Sequence, residues 1–267
     1  MAPGPDETPA APAPPAVSVR DLWLTYPGAD GVPVHVLERV NLQVEPGEFV
    51  CLVGPSGCGK TTLLNIIGWF LRPTRGEVRA GGELVAGPDP RRVFIFQEGG
   101  VFPWLTVREN VGFGLARRPA AERDRVVAHY VEMVGLTGFE GAYPLSLSGG
   151  MRQRVEIARA LAAGPATVYM DEPFGALDYF TRLKMRADLL RLWETERKTV
   201  LFVTHDVEEA VQLADRVVVL SRRPATVQVV VPVPLSRPRD PSSAGYLAAR
   251  EEILAALGYS LTGTRGP

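Results

Sequence analysis

Phe49-Val50-Cys51-Leu52-Val53 is an unbroken apolar run, the pattern of a strand buried on both faces. The same pattern recurs at Thr167–Met170, Val200–Val203 and Val217–Leu220. Earlier in the chain, Val17–Tyr26 and His35–Val44 mix β-branched and polar residues as strands do. Glu45-Pro46-Gly47-Glu48 then reads as a turn. Helical patterns separate the later strands. Asp178–Arg197 carries Phe180, Leu183, Ala187, Leu190 and Trp193 at helical spacing, which predicts a helix with those residues as its apolar face. Strands alternating with helices predict an α/β core around a parallel sheet.

Two regions break this alternation. Residues 1–16 hold six prolines and five alanines and are predicted to be a disordered tail. The tail lacks the basic start and long apolar stretch of a secretory signal. From about residue 99 to 163 the periodicity is mostly helical with Gly- and Pro-rich loops, which reads as a helical insertion. The ordered domain then runs over 17–236. A helical tail follows over 237–267, with a turn at Asp240-Pro241-Ser242-Ser243 and an amphipathic stretch at Ala244–Leu257.

Composition narrows the classes. The chain has 267 residues, 46% of them hydrophobic and 22% charged, enough for one large domain with a real core. Twenty-nine basic residues against thirty acidic ones give a net charge of −1, which argues against a nucleic-acid partner bound through a broad basic field. No stretch approaches the ~18 consecutive apolar residues of a membrane-spanning helix. Cys51 and Cys58 are too few for a disulfide framework or a closed zinc site and read as reduced thiols in a cytosolic chain.

The chemistry begins at Gly54-Pro55-Ser56-Gly57-Cys58-Gly59-Lys60-Thr61, a full G-x-x-x-x-G-K-[ST] phosphate loop followed by Thr62. It follows a predicted buried strand and precedes a predicted helix, Thr61–Gly68, the context that the motif requires. Its glycines let several N–H groups converge on one centre, and the helix N-terminus adds partial positive charge. Lys60 is placed for the β- and γ-phosphates, and the Thr61 hydroxyl for Mg²⁺. Asp171 and Glu172 end the Thr167–Met170 strand, where a parallel sheet presents ligands. Asp171 suits the Mg²⁺ shell. Glu172 suits a general base that polarises a water for attack on the γ-phosphate. Taken alone, an Asp-Glu pair after a strand is more often a turn or helix cap; the phosphate loop earlier in the chain reverses that.

Leu147-Ser148-Gly149-Gly150-Met151 opens a predicted helix that runs to Ala163. Ser148 can serve as a simple N-cap. Two glycines after it are costly unless something must approach the backbone closely. This segment resembles the signature of ABC-type ATPases, and other family motifs stand in order from Tyr26 to His205. By that resemblance Tyr26 stacks on adenine and Gln97 is the Q-loop glutamine, a Mg²⁺ ligand. Gly175-Ala176-Leu177-Asp178 is the D-loop, and His205 is the switch histidine, a catalytic residue beside Glu172. Singly, Tyr26 reads as a half-buried strand residue, and Gln97 and His205 as ordinary loop residues.

The resemblance implies a P-loop NTPase core with a parallel sheet, an N-terminal antiparallel β subdomain and an inserted helical subdomain. It implies ATP held between the phosphate loop of one copy and Ser148, Gly149, Gly150 and Met151 of another, in a homodimer that hydrolyses poorly as a monomer. Phe96–Val107, with Pro103-Trp104 just after Gln97, is similar to the Q-loop of importers for nitrate, sulfonates and taurine. Trp69-Phe70-Leu71 and Leu145-Ser146 depart from that group's pattern. Membership implies integral membrane permease subunits, indirectly a solute-binding protein, and a peripheral position on the cytoplasmic face. Further strands and a helix fill the stretch after His205, so the regulatory β-domain of sugar-importer ATPases is not expected. The alternative classes are an exporter ATPase and a soluble ABC ATPase that moves no solute.

Overall fold

The computed structural model describes residues 13–28, 30–97 and 100–259. The start and end of the predicted tails, together with Glu98 and Gly99 after Gln97, lie outside the described residues.

The chain opens with β1 (Val17–Tyr26) and β2 (Val34–Val44), an antiparallel pair. The next strand, β3 (Phe49–Val53), leads into α1 (Lys60–Ile67). Then come β4 (Arg75–Ala80), β5 (Glu83–Leu84) and β6 (Arg92–Ile95). Three helices follow: α2 (Val107–Gly112), α3 (Ala120–Met133) and α4 (Gly149–Ala162). The α/β alternation resumes with β7 (Thr167–Asp171), α5 (Tyr179–Glu196), β8 (Thr199–Val203), α6 (Val207–Leu213) and β9 (Arg216–Leu220). The edge strand β10 (Val227–Pro232) and α7 (Ala244–Ala256) close the described chain.

Two sheets result. One is antiparallel, in the order β2-β1-β4-β5. The other runs β10-β9-β3-β8-β7-β6, parallel throughout except for β10 at its edge. This is the α/β core with a parallel sheet that the residue pattern predicts, with the N-terminal antiparallel sheet that the resemblance implies.

The unbroken apolar runs are explained by where their alternate residues go. On β3, Phe49, Cys51 and Val53 join the core shared with the helical segment, whereas Val50 and Leu52 face the core under the antiparallel sheet. β8 divides the same way, Val200 and Phe202 against Leu201 and Val203. Each such side chain contributes about 1.5–3 kcal/mol on burial, which is why apolar residues fill both faces of these strands. Helices α2 to α4 pack Val107, Val111, Val127, Val131, Val155 and Leu161 into the first of those cores.

One expectation holds only in part. The α5 helix forms and Leu190 and Trp193 are buried, but Phe180 is 80% exposed and Leu183 44%, and Ala187 is exposed as well. The buried face is Met185, Leu189, Leu190 and Trp193, with the Trp193 ring edge-on to Phe49. The predicted and buried faces overlap at Leu190 and Trp193, and helical spacing alone does not say which of the other apolar residues meet the sheet.

Candidate functional site

The loop between β3 and α1 turns on two glycines with positive φ, Gly57 at 72° and Gly59 at 117°. A side chain at Gly59 would also press on Val36 and Leu37 of β2, 3.1 Å away. Only glycine adopts this path without strain. Lys60, at the start of α1, is buried, and its Nζ donates to the carbonyls of Gly54 at 2.9 Å and Pro55 at 3.2 Å. Two of the three ammonium donors are thereby fixed, which holds the cation over the loop. Beside it, Thr61 Oγ1 donates to Oδ1 of Asp171 at 3.0 Å and so ties α1 to the end of β7. Burial pushes the Asp171 carboxyl up, against the lowering effect of the Thr61 hydrogen bond.

Glu172 leaves β7 with φ +45°, a left-handed conformation uncommon for a non-glycine residue. Its amide donates to Val203 O at 3.0 Å, and its Oε2 lies 2.9 Å from Nδ1 of His205. His205 follows β8 in a segment braced from both sides. Arg186 of α5 bonds Asp206 and Glu209, and Thr204 Oγ1 donates to Glu209 Oε2 at 2.7 Å. Ser56, Gly57, Gly59, Lys60, Thr61, Thr62, Gln97, Glu172 and His205 line one cavity of about 560 Å³. Pro55 and Cys58 lie on the neighbouring hollow, and a Cβ on Gly54 would lie 2.9 Å from Cys58 Sγ and 3.1 Å from Leu220 O. The Cys58 thiol is buried, and burial pushes it up, so it stays protonated and inert.

Other predicted residues are not brought to this cavity. Tyr26 is 41% exposed at the end of β1, paired with Val34. Ser148, Gly149, Gly150 and Met151 form the first turn of α4, where Ser148 Oγ accepts from Met151 N at 3.2 Å. A Cβ on Gly150 would meet Leu177 at 3.3 Å, which places this turn beside Gly175–Asp178. A Cβ on Gly149 would meet only the Arg152 guanidinium, 3.8 Å away, so this chain leaves the outer side of that glycine open.

Four residues escape sequence reasoning. Arg223 lines the same cavity and its Nη2 donates to Gly57 O at 2.7 Å. Asn110 is buried; it accepts from Phe102 N and donates to the carbonyls of Phe102, Leu105 and Thr106. Gln153 and Glu156 of α4 bond the backbone on either side of Gln97. Polar residues at core-facing helix positions are the one sequence signal for the last three.

Mg²⁺ fits the oxygens present. It takes one or two carboxylates and completes its shell with substrate phosphates and water. Asp171 and Thr61 offer such oxygens already in contact. Among the described residues no group of three or more His, Cys, Asp or Glu side chains forms a metal cage of its own.

Comparison with known proteins agrees with this geometry. The sequence model of the family described as ABC transporter matches residues 37–175. An uncharacterized ABC transporter ATP-binding protein of Methanocaldococcus jannaschii is 50% identical over 230 residues, 85% of this chain and 86% of that one. An aliphatic sulfonates import ATP-binding protein of Bacillus cereus is 45% identical over 243 residues, 91% of this chain and 96% of that one. Among solved structures, a dimeric ATP-binding cassette in a post-hydrolysis state with ADP and Pi is 33% identical. It superposes with a TM-score of 0.74 over 82% of this chain and all of its own.

Proposed function

The chain belongs to the ABC transporter family and is an ATPase of a transporter, and from that premise we propose that it powers import of a small solute such as a sulfonate, taurine or nitrate. The sulfonate-import name of relatives 45% identical over most of the chain supports the direction and the solute class. Dimeric cassettes among its structural neighbours support a pair of identical subunits. Its partners are then permease subunits and, through them, a solute-binding protein. No helix among the described residues is long and apolar enough to cross a membrane, which suits a subunit held peripherally on the cytoplasmic face by its permease.

The observation that carries the catalytic reading is the convergence of Lys60, Thr61, Gln97, Glu172 and His205 on one cavity. The loop amides and Lys60 bind the phosphates of ATP. Thr61, Asp171 and Gln97 would hold Mg²⁺, which would supply positive charge to stabilise the phosphates during hydrolysis. Glu172 takes the proton of the attacking water, and His205 keeps that carboxylate turned into the cavity. Tyr26 packs on the adenine ring from the end of β1. Ser148–Met151 of the second copy supplies the remaining donors to the γ-phosphate through the helix N-terminus and the open side of Gly149.

The exposed apolar segment after Gln97 suits the permease contact. Trp104 is 69% exposed, next to Phe102 at 5.6 Å between ring centres. The two sequence departures add to the exposed apolar surface. Phe70 is 55% exposed and edge-on to Phe94 and Phe96, and Leu145 is 88% exposed. Reconstitution with its permease subunits and solute-binding protein tests the reading. ATPase activity should rise when the binding protein carries an alkanesulfonate, taurine or nitrate. Stimulation by none of these solutes removes the solute class, and transport outward removes the import reading.

A further inference from the structure

Gln97 sits at the start of a short segment that helix α4 grips from one side. Glu156 of α4 is 1% exposed, and no cation lies within ion-pair distance of it among the described residues. Its Oε1 accepts from Phe96 N at 2.8 Å and its Oε2 from Gly100 N at 3.1 Å. One carboxylate therefore closes the backbone on both sides of Gln97. One turn earlier on the same helix, Gln153 is 5% exposed and donates its Nε2 to Phe96 O at 3.2 Å. Both backbone groups of the residue before Gln97 are thus bonded to α4 side chains.

Gly100 is fitted to this arrangement. A Cβ there would lie 1.9 to 2.2 Å from the Glu156 carboxyl atoms, so only a glycine lets the carboxylate reach the amide. Placing a carboxyl group in such a site is costly, and burial pushes it up from its ordinary range. A helix that needed only packing at this position would carry an aliphatic residue, so the carboxylate acts through its two backbone bonds.

We propose that Glu156 is the positioning residue for Gln97. It fixes the backbone that carries Gln97, and it makes the placement of that side chain follow helix α4, whose first turn is Ser148–Met151. The inference rests on the reading of Gln97 as a Mg²⁺ ligand. A rigid link of this kind lets the turn that meets the second copy's ATP and the glutamine that meets its own metal move together, so neither half of the site is set independently.

The test uses the full chain with Glu156→Gln, Gly100→Ala and Gln97→Ala. Glu156→Gln keeps the volume but replaces one acceptor by an amide group facing a backbone N–H. Gly100→Ala reaches the same contact from the loop side and leaves the buried carboxyl in place, so it serves if the first variant folds poorly. Hydrogen exchange without nucleotide or metal should show the Phe96 and Gly100 amides exchanging at least tenfold faster in both variants. That factor corresponds to losing a charge-assisted bond of about 1.5–3 kcal/mol. In ATPase assays, the Mg²⁺ concentration for half-maximal rate should rise about fivefold or more in both, with the KM for ATP at saturating Mg²⁺ changed less than twofold. Gln97→Ala should raise the Mg²⁺ requirement at least as much. A shift in Gln97→Ala with none in folded Glu156→Gln or Gly100→Ala overturns the proposal and leaves the Gln97 reading standing. No shift in Gln97→Ala removes the Gln97 reading and the proposal with it.

Discussion

Nδ1 of His205 lies 2.9 Å from Oε2 of Glu172, joining the residues that follow two neighbouring strands, β8 and β7. The pairing depends on the left-handed backbone of Glu172, which turns its side chain back across the sheet end. It also depends on the brace of Arg186, Asp206, Glu209 and Thr204 under His205. Either residue alone is ordinary. Together they put a carboxylate of fixed orientation on the wall of the cavity that Lys60 and Thr61 also line.

Lys60→Ala removes the one ammonium held over the phosphate loop by Gly54 and Pro55. Charge-assisted contacts of this type contribute about 1.5–3 kcal/mol, so ATP affinity or turnover should fall at least tenfold. Equilibrium binding of a fluorescent ATP analogue and steady-state ATPase assays measure it. Undiminished activity would contradict the phosphate-loop reading.

The central strands were legible because both of their faces are buried, and an unbroken apolar run has no other stable place in such a fold. The phosphate loop was legible because its glycines and lysine answer to a local demand, a backbone turn around an anion. Glu156 and Asn110 were not, because their partners are backbone groups of a loop whose approach only the tertiary fold determines. Arg223 was missed for the same reason, since its acceptor, Gly57 O, comes from the loop after β3 whereas Arg223 follows β9. On α5 the predicted face shares Leu190 and Trp193 with the buried one, and Met185 and Leu189 take the places that Phe180, Leu183 and Ala187 were expected to fill.

Phe102 and Trp104 are neighbours with different surroundings. Phe102 stacks against Phe113 at 4.6 Å and under the Arg159 guanidinium at 4.6 Å, whereas Trp104 is mostly exposed. Trp104→Glu should leave the urea midpoint of the isolated subunit unchanged while co-purification with the permease and coupled transport are lost. Phe102→Glu should lose both partner binding and about 1–2 kcal/mol of stability from its aromatic and cation–π contacts. Normal transport by Trp104→Glu would remove this segment from the permease interface.

Arg239 is a structural test of the C-terminal region. It is 5% exposed and donates to the carbonyls of Val211, Val233 and Leu235, joining the end of α6 to the chain after β10. Burial draws its guanidinium down to about 10, yet it keeps its proton at neutral pH. Arg239→Met leaves three carbonyls without that donor. Urea unfolding should show a loss of about 3 kcal/mol or more. A loss under about 1 kcal/mol would mean that water replaces the guanidinium there.

Glu172→Gln tests the base and the dimer together. It keeps the size of the side chain and one hydrogen-bonding oxygen but removes the basic site that faces the cavity. Hydrolysis should fall roughly 10²-fold or more, the range for a lost acid–base group. ATP binding should survive, because Lys60 and the Thr61–Asp171 contact are untouched. Uncleaved ATP then bridges two copies, and size-exclusion chromatography with ATP should show the 29.0 kDa subunit moving to about twice its mass, as two-fold pairing requires. Ser148→Arg in the same background fills the approach to the first turn of α4 and should abolish that shift while each subunit still binds ATP. His205→Ala should lower the hydrolysis rate with little change in ATP affinity, since it frees the Glu172 carboxylate without touching the phosphate loop. A Glu172→Gln protein that turns over ATP at the parent rate would rule out the base assignment. One that loses activity yet remains monomeric with ATP would keep the base and show that the pair needs its permease to form.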